Sequence, residues 1–172
     1  MTDERERWER IKKRDVGVFD LFYKETAPAL CSYLHQLTGQ IQSAEDIAQQ
    51  VFTDLWERPN GFQPERGSLR AYVFGIGRKR ALDWWRRRPQ IGAEPKESTA
   101  RDEDRTPLIQ DALVRLSEEH RTLLWLREAE GYSYAELAYI LDLPLGTVKS
   151  RLFTAREELR KIWTEESGRG TR

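Results

Sequence analysis

Along this chain apolar residues recur three and four positions apart. No stretch shows the strict alternation of a half-buried strand, so the pattern predicts an all-α protein. The charged segment 3–14 reads as a short helix, frayed or docked. From about Val18 to Leu37 a stripe of Phe19, Phe22, Tyr23, Leu30, Tyr33, Leu34 and Leu37 predicts helix. Pro28 marks a bend or a break in it, and Gly39 ends it. Ser43-Ala-Glu-Asp46 has the form of a capping box. The helix it opens carries Ile47, Val51, Phe52, Leu55 and Trp56 on one side and Asp46, Gln49, Gln50, Thr53 and Asp54 on the other. Pro59-Asn60-Gly61 stops that helix. Ser68 is placed to cap a longer one, from Leu69 to about Arg87, with Leu69, Tyr72, Val73 and Ile76 as its stripe.

Periodicity then vanishes. Residues 89–106 mix prolines, charges and small side chains, which predicts a flexible linker. The expected organisation is two small helical domains, residues 1–88 and 107–172, on either side of residues 89–106. In the second domain, 109–116 reads as one helix. Ser117 caps the next, with Glu118 and Glu119 in the first turn where the helix dipole favours acid. That helix runs to Glu130, with Gly131 just past its end. Ser133-Tyr-Ala-Glu136 is a second capping box, opening a short helix with Leu137, Ala138, Ile140 and Leu141. Asp142-Leu143 makes a tight turn, and Pro144 starts the last helix, whose inner stripe is Val148, Leu152, Ala155, Leu159 and Ile162. Two helices joined so tightly form a helix-turn-helix.

The outer face of that last helix changes the picture from architecture to chemistry. Lys149, Ser150, Phe153 and Thr154 pair polar groups with an aromatic that the core does not need. This is how a helix meets base edges in a DNA groove, with Phe153 suited to a thymine methyl and Lys149 to a guanine edge. Gly146-Thr147 at its start can offer backbone N–H groups to a phosphate, and Arg151 and Arg156 flank the face as phosphate contacts. A second constellation lies in the Leu69–Arg87 helix and just after it. Arg78, Lys79, Arg80, Asp83, Trp84, Trp85, Arg86, Arg87 and Arg88 interleave cations with rings, which suits unpaired DNA. The same residues are equally compatible with a solvated basic face whose tryptophans pack on neighbouring helices, or with duplex phosphates held by Arg86, Arg87 and Arg88. The polar face Asp46, Gln49, Gln50, Thr53 and Asp54 reads as an amphipathic surface that is either plain architecture or a partner site.

Composition narrows the options. In 172 residues, Lys+Arg and Asp+Glu both total 29, which argues against a protein that coats DNA non-specifically and allows one whose positive charge is local. No apolar run approaches a membrane span, and MTDERERWERIKKR has no apolar segment of a secretion signal, so no membrane insertion and a cytoplasmic location are expected. Cys31 stands alone, excluding an internal disulfide, and its apolar neighbours read as core. With only His35 and His120 and no Gly-rich phosphate loop, the chain offers no metal cluster, cofactor motif or small-molecule enzyme site.

Taken together, SAEDIAQQVFTDLW, GSLRAYVFGIGRKRALDWWRRR and LSEEHRTLLWLREAEGYSYAELAYILDLPLGTVKSRLFTARE resemble regions 2.2, 2.3–2.4 and 4.1–4.2 of the extracytoplasmic-function (group IV) sigma factors of bacterial RNA polymerase. The resemblance spans about Phe19 to Trp163. It implies that Asp46, Gln49, Gln50, Phe52, Thr53 and Trp56 bind the clamp helices of core RNA polymerase. It implies that Arg78 to Arg88 engage the minus-ten element of promoter DNA, and that Thr147 to Arg156 read the minus-thirty-five element. An anti-sigma factor is the implied inhibitor. Three positions depart from the family's usual pattern: Lys79 where Asn is frequent, Thr154 where Arg is frequent, and Gln50 where Glu is usual. Lys79 can only donate and Thr154 is too short for a bidentate guanine contact, so neither promoter sequence can be borrowed from relatives. The expected protein is a non-enzymatic sigma subunit. A polymerase-independent repressor or activator, and a helical nucleic-acid-processing enzyme, are the alternatives.

Overall fold

The structure, a computed structural model, describes residues 4–87, 112–113 and 115–169, with side chains through residue 165. The linker expected over 89–106, Arg88 and most of the helix expected over 109–116 lie outside the described residues. Helix α1 (Glu4–Lys12) has Glu4 and Glu6 in its first turn and Arg10 and Lys12 in its last, matching its dipole at both ends. It is docked: Trp8 and Ile11, one turn apart, are buried, and Trp8 meets Phe62 edge to face at 5.3 Å. Asp15 then caps α2 (Val16–Thr38), accepting from the Val18 N–H at 3.1 Å. The helix is continuous through Pro28, which sits exposed, so the carbonyl left without an N–H partner can turn to water. Gly39, at φ 71°, closes it, as the left-handed conformation requires.

Helix α3 (Ile41–Glu57) starts earlier than the Ser43 capping box predicts. Gly39 turns the chain so sharply that Gln40 is already extended and its carbonyl accepts from Ala44 at 3.1 Å. Ser43 is thus one turn inside, donating to the Gln40 side chain at 3.0 Å. After a short 3-10 turn (Pro64–Arg66), α4 (Leu69–Arg87) opens on two caps. Ser68 Oγ accepts from the Ala71 N–H at 3.1 Å, and Glu4, distant in sequence, accepts from the Leu69 N–H at 2.8 Å. Its buried face is Leu69, Ala71, Val73, Phe74, Gly75, Gly77 and Ala81. Tyr72 and Ile76, expected in the stripe, are half-buried instead. Gly77 explains the rotation: a Cβ there would come within 3.0 Å of Leu30 and 3.3 Å of Leu34, so the absence of a side chain is what lets α2 approach. Phe74 then stacks on Tyr33 at 5.4 Å. Cys31 is half-buried, and burial pushes its thiol pKa up, against thiolate chemistry.

The described chain divides into two compact units, the first built on α1–α4 together with Tyr139–Asp142, the second on the remaining helical residues after 115. Helix α5 (Glu118–Leu124) is capped by Ser117 and continues as a π-helical turn over Trp125–Ala129, closed by the Glu130 N–H on the Trp125 carbonyl at 3.1 Å. Gly131, at φ 75°, follows. The second capping box forms as its residues predict: Ser133 Oγ accepts from the Glu136 N–H at 3.1 Å and Glu136 accepts from the Ser133 N–H at 2.9 Å, opening α6 (Tyr134–Leu141). Asp142, with a positive φ of 54°, turns the chain into α7 (Leu145–Arg169). Pro144 lies one residue before that helix and not at its first position, its carbonyl accepting from Val148 at 3.1 Å. Leu123, Leu126, Leu137, Val148, Leu152, Ala155 and Ile162 are buried. Leu159 of the expected stripe is only half-buried. Among the described residues there is no strand.

Candidate nucleic-acid interface

The burial of Val148, Leu152 and Ala155 fixes which side of α7 remains outside. Because a helix turns about 100° per residue, Lys149, Ser150, Phe153 and Thr154 fall together on the opposite side, and all four are exposed. Phe153 is 68% exposed, more than any other large apolar side chain of the described chain. Thr147 is half-buried. Two hydroxyls in this row bond backward into their own helix: Ser150 Oγ donates to the Thr147 carbonyl at 3.0 Å, and Thr154 Oγ1 to the Ser150 carbonyl at 3.1 Å.

The flanking arginines differ from the sequence picture. Arg151 pairs with Glu119, and Arg156 pairs with Glu128 through Nη2 at 2.5 Å and Nε at 3.2 Å. Both tie α7 to α5 and its continuation, so neither guanidinium stands uncommitted. Lys149 has no ion-pair partner among the described residues. The sequence reading missed Tyr134, at the start of α6. A hydrogen bond from Arg156 lowers its phenol pKa, and the Arg127 guanidinium lies 4.9 Å from its ring centroid. A tyrosine after a serine cap has no sequence signal that separates it from an ordinary first-turn residue.

In the first unit, α4 spreads its basic run around the helix. Arg80 turns toward α3, pairing with Asp54 and donating to Gln50 at 3.3 Å. Arg86 pairs with Asp83 at 3.1 Å. Lys79 and Arg87 are exposed, and Arg78 is half-buried. Trp84 and Trp85 meet edge to face at 5.1 Å. Trp84 is half-buried; Trp85 is 43% exposed and its indole N–H donates to the Leu37 carbonyl at the end of α2 at 2.8 Å. Trp85 is thus anchored to the domain through its N–H while its ring stays partly open to solvent.

On α3, Asp46, Gln49, Gln50 and Thr53 are exposed. Together with Asp54 and Arg80 they line a depression of about 300 Å³. Phe52, expected to touch a partner, does not reach this surface: at 3% exposure it is core, with Tyr23 4.8 Å and Phe22 6.2 Å away ring to ring. Its helical phase puts it under the polar face, as its place in the apolar stripe already required. Trp56 is half-buried beneath Arg14, whose guanidinium is 5.2 Å from its ring, and against Phe19 at 4.8 Å. Arg80, from the DNA-facing candidate helix, is the member of this depression that the sequence did not place there.

The sigma-70 region 2 family model matches residues 22–90, and the sigma-70 region 4 model matches residues 107–159. The extracytoplasmic-function sigma factor SigL of Mycobacterium tuberculosis is 34% identical over 159 residues, covering 85% of this chain and 89% of its own. The chain belongs to the extracytoplasmic-function sigma factors. The sigma factor RpoE of Cereibacter sphaeroides is 29% identical over 178 residues, covering 94% of this sigma factor and 98% of its own length. Among solved structures, CnrH in complex with the cytosolic domain of CnrY shares the fold at TM-score 0.67 and 22% identity, covering 96% of this chain and 99% of CnrH. RpoE in complex with the anti-sigma factor NepR from Bartonella quintana shares it at TM-score 0.61 and 24% identity, covering 85% and 96%. In this sigma factor α3 and α4 fall inside the region 2 match, and α5 to the exposed row of α7 inside the region 4 match. Among the described residues no helix is long and apolar enough to cross a membrane.

Proposed function

We propose that this sigma factor reads promoters with two separate helices and docks on polymerase with a third. As a sigma factor it binds core RNA polymerase and directs promoter-specific transcription initiation. The observation that carries the finer reading is the row Lys149, Ser150, Phe153 and Thr154. A phenylalanine exposed beside Lys149, Ser150 and Thr154 on the second helix of a capped helix-turn-helix combines the polar and methyl-contacting groups that suit a DNA groove. This row reads the minus-thirty-five duplex, with Thr147 at the helix start, and Arg151 and Arg156 turn to phosphates there.

Lys79, Arg87 and the Trp84–Trp85 pair engage the minus-ten element as its strands part, with Arg78, Arg80, Asp83, Arg86 and Arg88 around them. The depression on α3 takes the clamp helices of core polymerase through Asp46, Gln49, Gln50 and Thr53, with Trp56 at its edge. An anti-sigma factor holds the protein inactive by covering the same surfaces. The domains run 1–88 and 107–172, joined by 89–106, and the protein works in the cytoplasm without chemistry of its own. The test is transcription in vitro with purified core polymerase on a library of genomic promoter fragments. Specific initiation that needs both core and this chain is expected. Tight, specific promoter binding by the isolated chain, with no initiation alongside core, would overturn the reading in favour of a polymerase-independent regulator.

A further inference from the structure

The two back-bonded hydroxyls limit what α7 can offer a base. A carbonyl oxygen only accepts, so the short contacts of Ser150 Oγ with the Thr147 carbonyl and of Thr154 Oγ1 with the Ser150 carbonyl, at 3.0 and 3.1 Å, commit each hydroxyl proton to the helix. What remains outward is a lone pair. Thr53 on α3 and Thr164, farther along α7, make the same kind of bond. Ser150 and Thr154 differ in standing beside the exposed Phe153 and Lys149, in the first turns of α7 after the tight turn from α6.

In the major groove an acceptor finds its complement at an exocyclic amine, N6 of adenine or N4 of cytosine. Against guanine O6 and N7, or thymine O4, it meets another acceptor. We infer that Thr154 makes this sigma factor select an amino-bearing base, adenine or cytosine, at one position of the upstream promoter element. The inference rests on the proposed reading of duplex DNA by α7. It replaces a guanine contact, which a long donor side chain would make, with the opposite hydrogen-bond sense at the same place on the helix. Lys149 keeps the donor role next to it, and Phe153 the methyl contact, so the row reads three different base features.

The experiment uses holoenzyme assembled from core polymerase and the full chain, with a promoter library randomised across the upstream element and bound DNA sequenced. One position is expected to favour A or C over G and T by roughly 3- to 10-fold, the range of one neutral hydrogen bond. Thr154→Val, which keeps the shape and removes the oxygen, is expected to bring that position within twofold of random while leaving preferences elsewhere intact. Thr154→Ser is expected to retain the preference. Replacing the selected dA by its deamino analogue, or the selected dC by 2-pyrimidinone, separates the two amines: only the base in use loses affinity, and the loss disappears in Thr154→Val. A preference for G or T at the Thr154-dependent position, or a profile that Thr154→Val leaves unchanged, would overturn the inference. A flat profile across the whole upstream element, with initiation intact, would instead sink the reading of α7 as the duplex reader.

Discussion

Adjacent residues Phe153 and Leu152 point about 100° apart around α7, one into water and one into the core, and that makes the assignment of the α7 faces measurable. Leu152 is 1% exposed and Phe153 68% exposed. Full burial of a phenylalanine side chain contributes ~1.5–3 kcal/mol. With only about a third of that surface buried, Phe153→Ala is expected to lower the stability of the second unit by roughly 0.5–1 kcal/mol. Leu152→Ala removes a fully buried side chain and is expected to cost about 2–5 kcal/mol. Binding reverses the order among folded molecules. The two-thirds of Phe153 still facing water can be buried against DNA for about 1–2 kcal/mol, roughly 5- to 30-fold in holoenzyme affinity for the upstream element. Urea denaturation of the full chain gives the first pair of numbers, and filter binding of holoenzyme to promoter DNA at fixed salt gives the second. Core binding should be unchanged in Phe153→Ala. Equal destabilisation by the two substitutions, or unaltered promoter affinity in Phe153→Ala, would mean that Phe153 packs inside the protein and that the exposed row is not a reading face.

Three further outcomes follow from the geometry. The Arg80–Asp54 pair, with side chains 36% and 41% exposed, is expected to give a coupling of ~0.2–1 kcal/mol in a denaturation cycle of Arg80→Gln, Asp54→Asn and the double variant; zero coupling would remove the bridge between α3 and α4. Asp15 has a depressed pKa, first because of the Val18 N–H and then because of Arg10, so its stabilisation is present above the unfolded value of 3.8 and is lost as pH falls through the lower folded value. Asp15→Asn should therefore flatten the acid limb of the stability profile below about pH 4, and an unchanged limb would assign acid unfolding elsewhere. At matched closed-complex occupancy, Trp84→Ala or Trp85→Ala is expected to lower permanganate reactivity of minus-ten thymines by severalfold, since stacking is worth ~1–3 kcal/mol per base; unchanged reactivity in both would leave the rings a structural role only.

Helix positions and the exposed row of α7 were legible in the chain because each rests on local rules. The Ser133/Glu136 box, the Gly39 and Gly131 stops, and the Val148–Leu152–Ala155 stripe need only their own neighbours. What was not legible depends on contacts distant in sequence. Glu4 capping Leu69 spans two helices, and no local pattern announces it. The start of α3 moved because Thr38, Gly39 and Gln40 settle the preceding turn before Ser43 can act. The buried face of α4 turned toward Gly77, which carries no hydrophobic signal, because close approach of α2 rewards a missing side chain there. Phe52 shows the reverse error: its periodicity already assigned it to the core, and only the resemblance drew it to the surface.

The largest difference between sequence and structure is electrostatic. From the sequence the arginines of α4 and α7 read as a store of phosphate contacts, yet Arg80, Arg86, Arg151 and Arg156 each face a carboxylate of this chain: Asp54, Asp83, Glu119 and Glu128. Such exposed pairs are individually weak, on the order of 0–1 kcal/mol, so a phosphate can displace a carboxylate at little cost. Until one does, the pair cancels the long-range field that would draw the free protein to any DNA. On the proposed reading, the exposed Lys79, Arg87 and Lys149 are available for first contact. Each phosphate neutralised adds about 0.9 to the salt slope of binding. The isolated chain should therefore show a shallow slope on non-specific duplex, and holoenzyme on its promoter a steeper one, as phosphates displace the carboxylates. If these slopes are found, Arg80, Arg86, Arg151 and Arg156 are held against the chain's own acids until promoter and core polymerase arrive; equal slopes for the isolated chain and holoenzyme would refute that exchange.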